Sequence, residues 1–136
     1  MMLYAVIDTN VLVSALLSDK DDTATVQVVK EIIRGNIIPI YSHAIATEYR
    51  NVLNRKKFNF SEGKINILLD TISLFGILFE PVPFYFSLPD IKDLPFYSIT
   101  VQTQDKNSFL VTGNLKHFPN EPFIVTPRQL INILSK

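Results

Sequence analysis

The chain of 136 residues contains no cysteine, which excludes disulfide bonds and thiol chemistry. This composition is typical of proteins from a reducing compartment. An excess of charge of either sign is also lacking, because 13 Lys and Arg residues balance 13 Asp and Glu residues. A chain without net charge has no global field that attracts nucleic acid. Any such contact must therefore come from a local basic patch or from bound cations.

Several catalytic motifs are missing as well. The four glycines are scattered at positions 35, 63, 76 and 113, so no glycine-rich loop is available to hold a nucleotide. The Gly-x-Ser-x-Gly motif that carries the nucleophile of many hydrolases does not occur. A haloacid-type phosphatase is disfavoured, because Asn10 stands two places after Asp8, where such an enzyme has a second aspartate.

Long hydrophobic runs are absent too. Apolar stretches such as residues 71–79 are far shorter than the ~20 residues that span a bilayer. The first residues lack the basic leader and the cleavage site of a signal peptide. We therefore expect a soluble cytoplasmic protein. With 47% hydrophobic residues the chain can bury a sizeable core, and its length predicts one domain over residues 1–136.

Short apolar runs alternate with helical patterns along the chain. Residues 3–7 have the continuous apolar pattern of a strand buried on both faces, and residues 108–112 are predicted as another buried strand. This alternation predicts an α/β fold with three layers, α/β/α, around a central, mostly parallel sheet of four to five strands. An aromatic segment, residues 84–86, follows two prolines and is predicted as an edge or cover segment. It is a candidate for base stacking or for contact between two subunits.

Polar side chains follow or flank these predicted elements at comparable positions. Asp8 ends the first strand, and Asn114 follows the strand 108–112. Asp93 begins a helix that we expect to run through Gln104, and Glu48 lies at the flank of a helical apolar stripe. Ligands of open parallel sheets bind at the carboxyl ends of the strands. We therefore expect these side chains to converge there.

Convergence of three carboxylates has an electrostatic consequence. Two like charges about 4 Å apart repel by about 4 kcal/mol at an effective dielectric near 20. Three such pairs exceed the spare stability of a typical domain unless protons or cations intervene. A hard divalent ion with oxygen ligands, Mg²⁺ or Mn²⁺, is the natural partner. Such a site supplies the activated water and the charge neutralisation that phosphodiester hydrolysis needs.

Each position also has an ordinary structural interpretation. Asp8 and Asp93 are favoured helix N-cap residues. Glu48 could be a solvated helix residue paired with a base, and Asn114 could satisfy a turn with Gly113. No single position distinguishes the two interpretations. Their joint placement favours the metal site.

Basic groups near these positions are candidates for phosphate contact. Arg55 is expected on the same helix face as Glu48, two turns further on, where it could bind RNA phosphate or lie solvated at the helix end. Lys116 and His117 follow Asn114 and could hold a phosphate or belong to a surface loop.

Three segments resemble the PIN-domain ribonucleases. Residues 6–16 (VIDTNVLVSAL) are similar to the opening of that family, and residues 42–55 (SHAIATEYRNVLNR) to its second motif. Residues 110–119 (LVTGNLKHFP) resemble the bacterial subgroup described as toxins of toxin–antitoxin pairs. The similarity extends over almost the whole chain.

The resemblance implies a Mg²⁺- or Mn²⁺-dependent endoribonuclease inhibited by a small antitoxin protein. It implies that Asp8, Glu48 and Asp93 bind the metal, and that Thr9 and Asn10 orient Asp8 and a bound water. Asn114 matches the fourth acidic position of the family and departs from it, because an amide carries no charge. Asp90 is a spare acid that could take part.

Two rival hypotheses remain from the sequence. One is a non-catalytic, PIN-like scaffold that acts by binding protein or RNA, which the amide of Asn114 favours. The other is a relative of DNA flap nucleases, although the chain is short for the helical arch of such enzymes.

Overall fold

A computed structural model describes residues 1–83 and 87–136 of the chain, and within these residues five parallel strands form one sheet. The strands are β1 (Leu3–Ile7), β2 (Ile37–Tyr41), β3 (Ile77–Leu78), β4 (Phe109–Val111) and β5 (Ile124–Val125). Six α-helices of the same residues flank the sheet: α1 (Thr9–Leu17), α2 (Ala24–Ile33), α3 (His43–Leu53), α4 (Glu62–Phe75), α5 (Leu94–Gln102) and α6 (Pro127–Leu134). This arrangement confirms the predicted three-layer α/β/α fold.

The central strands form the core because they carry few polar side chains. Ala5, Val6 and Ile7 of β1 are completely buried, and so are Leu110 and Val111 of β4. A parallel sheet covered by helices on both faces buries successive side chains on opposite sides. The continuous apolar runs read from the sequence are therefore explained by their position in the middle layer.

Three of the helix starts are stabilised by side-chain caps. Ser42 Oγ accepts a hydrogen bond from the backbone N–H of Ile45 at 3.2 Å, and Ser61 Oγ accepts one from Lys64 at 3.2 Å. Thr126 and Gln129 form a reciprocal capping box at the start of α6. Such caps satisfy backbone N–H groups that have no partner inside the helix.

The order of the strands determines where a site can form. The chain runs from β1 through β2 to β3 on one side of the sheet, and then continues on the other side of β1 with β4 and β5. Ile7 is paired with Val111 in the parallel register, and the Asp8 N–H donates to the Val111 carbonyl at 2.9 Å. Asp8 is thus placed beside Thr112, at the switch point where open α/β sheets bind ligands.

Two predictions about helix limits were wrong. The helix expected from Asp93 to Gln104 ends at Gln102, because the Thr103 hydroxyl donates to the Ile99 carbonyl at 2.8 Å and the chain turns into a 3₁₀ helix, Gln104–Lys106. Helix α3 ends at Leu53, because the Asn54 amide donates to the Arg50 carbonyl at 2.8 Å. Arg55 therefore lies in the turn after α3 and does not share the helix face of Glu48.

The aromatic segment 84–86, predicted as an edge or cover, lies outside the described residues. Among the described residues, no helix combines the length and the apolar character that crossing a membrane requires.

Candidate active site

Asp8 is the most buried acid of the candidate site, with 6% of its surface exposed. Its Oδ2 accepts a hydrogen bond from the Thr112 hydroxyl at 2.8 Å and a longer one from Asn10 Nδ2 at 3.3 Å. Asp8 occupies the N-cap position of α1, but its side chain makes no capping hydrogen bond. The interpretation of Asp8 as a simple helix cap was therefore wrong.

The surroundings of Asp8 make its negative charge unfavourable. Burial raises the pKa of this carboxyl group from 3.8 to about 6. The Thr112 hydrogen bond opposes the increase, whereas the negative charges of Asp93 and Glu48 add to it. The three acids thus lie near enough to influence the ionisation of one another.

Glu48 is held at the site by the residue that follows Asp8. The Thr9 hydroxyl donates to Glu48 Oε2 at 2.5 Å, which joins the start of α1 to the middle of α3. The hydroxyl of Thr9 thus orients Glu48 and not Asp8. Within the described residues, Glu48 forms no ion pair with a base, which disfavours its interpretation as a solvated, base-paired helix residue.

Tyr49, the neighbour of Glu48, supports the same edge of the sheet. Tyr49 is buried, and its hydroxyl donates to the Ile7 carbonyl at 2.5 Å, directly before Asp8. Burial raises the pKa of Tyr49 well above its usual value, with the charges of Asp8 and Glu48 adding to the effect. The phenol therefore keeps its proton and acts as a fixed donor.

Asp93, which directly precedes α5, contributes the third carboxylate. It ends a 3₁₀ helix, Ile91–Asp93, and makes no side-chain cap for α5, so the simple cap interpretation was wrong here as well. Burial raises the pKa of Asp93; His117 opposes this, and the charge of Asp90 adds to it. The Asp90 side chain itself is exposed and accepts a hydrogen bond from the Lys92 N–H at 2.9 Å.

Asn114 and His117, in the segment after β4, complete the candidate site. Asn114 Nδ2 lies 2.8 Å from His117 Nε2, and His117 Nδ1 lies 3.2 Å from Asp93 Oδ2. The Asn114 N–H donates to the Thr112 hydroxyl oxygen at 3.0 Å. Asn10 also braces this loop, because its Oδ1 accepts a hydrogen bond from the Gly113 N–H at 3.2 Å.

Two of the predicted basic groups are not drawn into this arrangement. Arg55 and Lys116 are both exposed. Of the three groups predicted to contact phosphate, only His117 makes a contact with a side chain of the candidate site.

Thr112 and Tyr49 were missed when the sequence was interpreted. Thr112 carries the shortest hydrogen bond to Asp8. A hydroxyl residue at the last position of a buried apolar run, just before a Gly-Asn turn, was the available signal for it. The partner of Tyr49 is a backbone carbonyl, for which a sequence contains no signal.

The carboxylate oxygens of the candidate site are chemically suited to bind a hard divalent cation. Across residues 1–83 and 87–136, no three His, Cys, Asp or Glu side chains are arranged as a group that could hold a metal ion. Mg²⁺, however, is usually bound through one or two carboxylates and keeps several waters. The buried Oδ2 of Asp93 forms no aligned hydrogen bond, although His117 Nδ1 lies 3.2 Å from it. A carboxylate with such an unsatisfied oxygen beside further acids is a suitable ligand for this ion.

Comparison with known protein families gives one match. A family model described as a PIN domain matches residues 4–116, which is most of the chain and includes all four polar positions of the candidate site. The chain matches no curated protein and no solved structure.

Proposed function

Because the chain belongs to the PIN domain family, we propose that it is a Mg²⁺- or Mn²⁺-dependent endoribonuclease that hydrolyses RNA phosphodiester bonds. PIN domains are generally nucleases that act on RNA. The observation that carries the proposal is the carboxyl group of Asp8. It is buried, and burial together with the negative charges of Asp93 and Glu48 raises its pKa to about 6. Such an arrangement destabilises the ionised carboxyl group and is typical of functional sites, where a bound cation can offset the charge.

Asp8, Glu48 and Asp93 would hold the cation, one or two of them directly and the rest through the waters that such an ion keeps. When bound, it supplies positive charge that neutralises the phosphodiester group and activates water. The residues of the chain orient this site: Thr112 and Asn10 fix Asp8, and Thr9 fixes Glu48. In this mechanism water attacks phosphorus directly and no covalent intermediate forms with the protein.

RNA cleavage is the direct test of this proposal. The wild-type chain should cleave RNA in the presence of Mn²⁺ or Mg²⁺ and lose this activity in EDTA. Asp8→Asn should abolish cleavage, whereas Asp105→Asn, at a side chain that is 75% exposed, should leave it unchanged. Equal cleavage by the wild type and by Asp8→Asn would identify a contaminating nuclease and refute the assignment. A panel of DNA substrates tests the flap-nuclease alternative in the same assay.

A second candidate function is a catalytically weak scaffold that binds protein or RNA. The observation that favours it is the amide of Asn114, which brings no charge and is engaged with His117. A titration with Mn²⁺ discriminates the two functions, because only a protein that binds the ion in its folded state is stabilised by it. A melting temperature that does not change with Mn²⁺ would favour the scaffold.

We further propose that the chain is the toxin of a toxin–antitoxin pair and that a small antitoxin blocks the candidate site. The motif of residues 110–119 supports this role. An apolar groove also offers a protein contact surface: Ile33 and Ile67 are 54% and 70% exposed, and both line it. Expression of the wild type should arrest growth and Asp8→Asn should not. Co-purification of the neighbouring gene product tests the partner, and light scattering tests the predicted homodimer.

A further inference from the structure

We infer that His117 is a positioning residue whose neutral ring carries its proton on Nδ1, where it holds the Asp93 carboxylate, while Nε2 accepts a hydrogen bond from Asn114. This inference rests on the proposed function for its consequence in catalysis. Its structural part, the position of one proton, does not depend on any metal or on RNA.

The first support is that both ring nitrogens of His117 face a side chain of the candidate site. Nε2 lies 2.8 Å from Asn114 Nδ2 and Nδ1 lies 3.2 Å from Asp93 Oδ2. The His117 side chain is 44% exposed, so part of the ring borders solvent. A loop histidine without a role would direct its polar atoms to water. Here the two polar atoms are directed inward.

The two contacts require one tautomer. The Nδ2 group of an amide is only a donor, so Nε2 of His117 must accept and carries no proton. The single proton of a neutral ring is then on Nδ1, which faces a carboxylate, and a carboxylate only accepts. The opposite tautomer would bring two donors together at Asn114 and two acceptors together at Asp93.

Asp93 needs this donor. Its side chain is only 13% exposed, and its Oδ2 is a buried atom without an aligned hydrogen bond. A buried polar atom in that state requires an explanation. The Nδ1–H group of His117, at 3.2 Å, is close enough to form the hydrogen bond after a small rotation of the ring.

The same loop also reaches Asp8, so His117 completes a continuous series of contacts between two acids. The Thr112 hydroxyl donates to Asp8, the Asn114 N–H donates to Thr112 Oγ1, and the Asn114 amide contacts His117. Phe118, which is 7% exposed, anchors the loop in the core directly after His117. Through this series His117 sets the position of Asp93 relative to Asp8.

Nitrogen-15 NMR of the His117 ring tests the tautomer. The His43→Asn variant leaves His117 as the only histidine, since the chain has two. Long-range proton–nitrogen correlations of the metal-free protein at about pH 9, where a histidine ring is neutral, should show a protonated Nδ1. Free histidine prefers the proton on Nε2. Observation of that Nε2–H form in the folded protein would overturn the inference.

Two substitutions test the consequence for metal binding. In His117→Asn the nitrogen of the side-chain amide can replace Nδ1 as the donor to Asp93. In His117→Gln the amide nitrogen reaches the position of Nε2 instead and leaves Asp93 without its donor. By titration calorimetry, the Asn variant should bind Mn²⁺ close to wild-type affinity, and the Gln variant about 10-fold or more weakly, since loss of such supporting partners typically costs 10–100-fold. Equal affinity of the Gln variant and the wild type would overturn the positioning role.

Failure of the inference and failure of the proposed function give different results. A wild-type protein that binds no Mn²⁺ refutes the proposed function, and the NMR experiment still decides the tautomer. A wild-type protein that binds Mn²⁺ but has its His117 proton on Nε2 refutes only the inference. Urea unfolding midpoints of both variants, close to that of the wild type, exclude a general loss of folding as the cause of weaker binding.

Discussion

The raised pKa of Asp8 predicts that this residue destabilises the folded chain as the pH rises, as long as no divalent cation is present. Between pH 3.8 and about 6 the folded Asp8 holds a proton that the unfolded chain has already released. Each increase in pH over that range therefore favours the unfolded state. A rise in the pKa from 3.8 to about 6 corresponds to about 3 kcal/mol. This cost is absent below pH 3.8 and complete above about pH 6.

Asp8→Asn isolates this contribution from all other titrating groups. The variant removes the charge and keeps an oxygen that can accept the hydrogen bond of Thr112. We expect the free energy of unfolding of Asp8→Asn to exceed that of the wild type by about 3 kcal/mol at pH 7.5. The difference should decrease towards zero as the pH falls below 3.8. In a domain of ordinary stability, a gain of this size is a large fraction of the total.

Urea unfolding in EDTA between about pH 3.5 and pH 8, with linear extrapolation to water, measures this difference. Asp105→Asn is the matched control, because that side chain is 75% exposed and its replacement should give no gain that depends on pH. At a Mn²⁺ concentration 100-fold above the dissociation constant, the wild type should recover about 2.7 kcal/mol and Asp8→Asn should not. A difference between wild type and Asp8→Asn that stays constant with pH, or grows as the pH falls, would refute the reasoning.

Five further substitutions, at four positions, test the fold and the site by urea unfolding. Gly76→Ala should destabilise the fold by about 1–3 kcal/mol, since an added Cβ would lie 2.4 and 2.7 Å from two backbone oxygens. Gly63→Ala, with open space around it in α4, should stabilise the fold by about 0.5–1 kcal/mol. An unchanged stability of Gly76→Ala would contradict the close approach at Gly76. Thr112→Val should lower the free energy of unfolding by about 1–3 kcal/mol at neutral pH, because it removes the donor to Asp8. Thr112→Ser keeps a hydroxyl donor and should therefore retain most of the wild-type stability. Tyr49→Phe should cost about 1 kcal/mol, since it removes a buried hydrogen bond to a backbone carbonyl, and an unchanged unfolding midpoint would argue against that bond.

The parts of the fold that follow from nearby residues could be predicted from the sequence. The apolar run of β1 predicts a buried strand, because its burial depends only on the absence of polar side chains over five positions. Ser42 and Ser61 predict helix starts, because a cap bonds an N–H group only three residues away. The end of α3 was predicted less well, since it depends on one amide of Asn54 that turns back to a carbonyl.

The contacts that shape the candidate site depend on pairs far apart in sequence. Thr112 is 104 residues from Asp8, and the two meet only because β1 and β4 are neighbours in a defined register. Thr9 contacts Glu48 across 39 residues for a similar reason, since α1 and α3 pack together. A sequence pattern identifies each acid, but it contains no information on which hydroxyl orients which carboxylate.

The amide of Asn114 has a physical consequence that differs from a simple loss of charge. An aspartate at this position could only accept a hydrogen bond, and it would draw the His117 proton towards Nε2 and away from Asp93. It would also place a fourth negative charge near Asp8, whose pKa is already about 6 with two acidic neighbours. The amide avoids both effects, because it donates to His117 Nε2 and carries no charge.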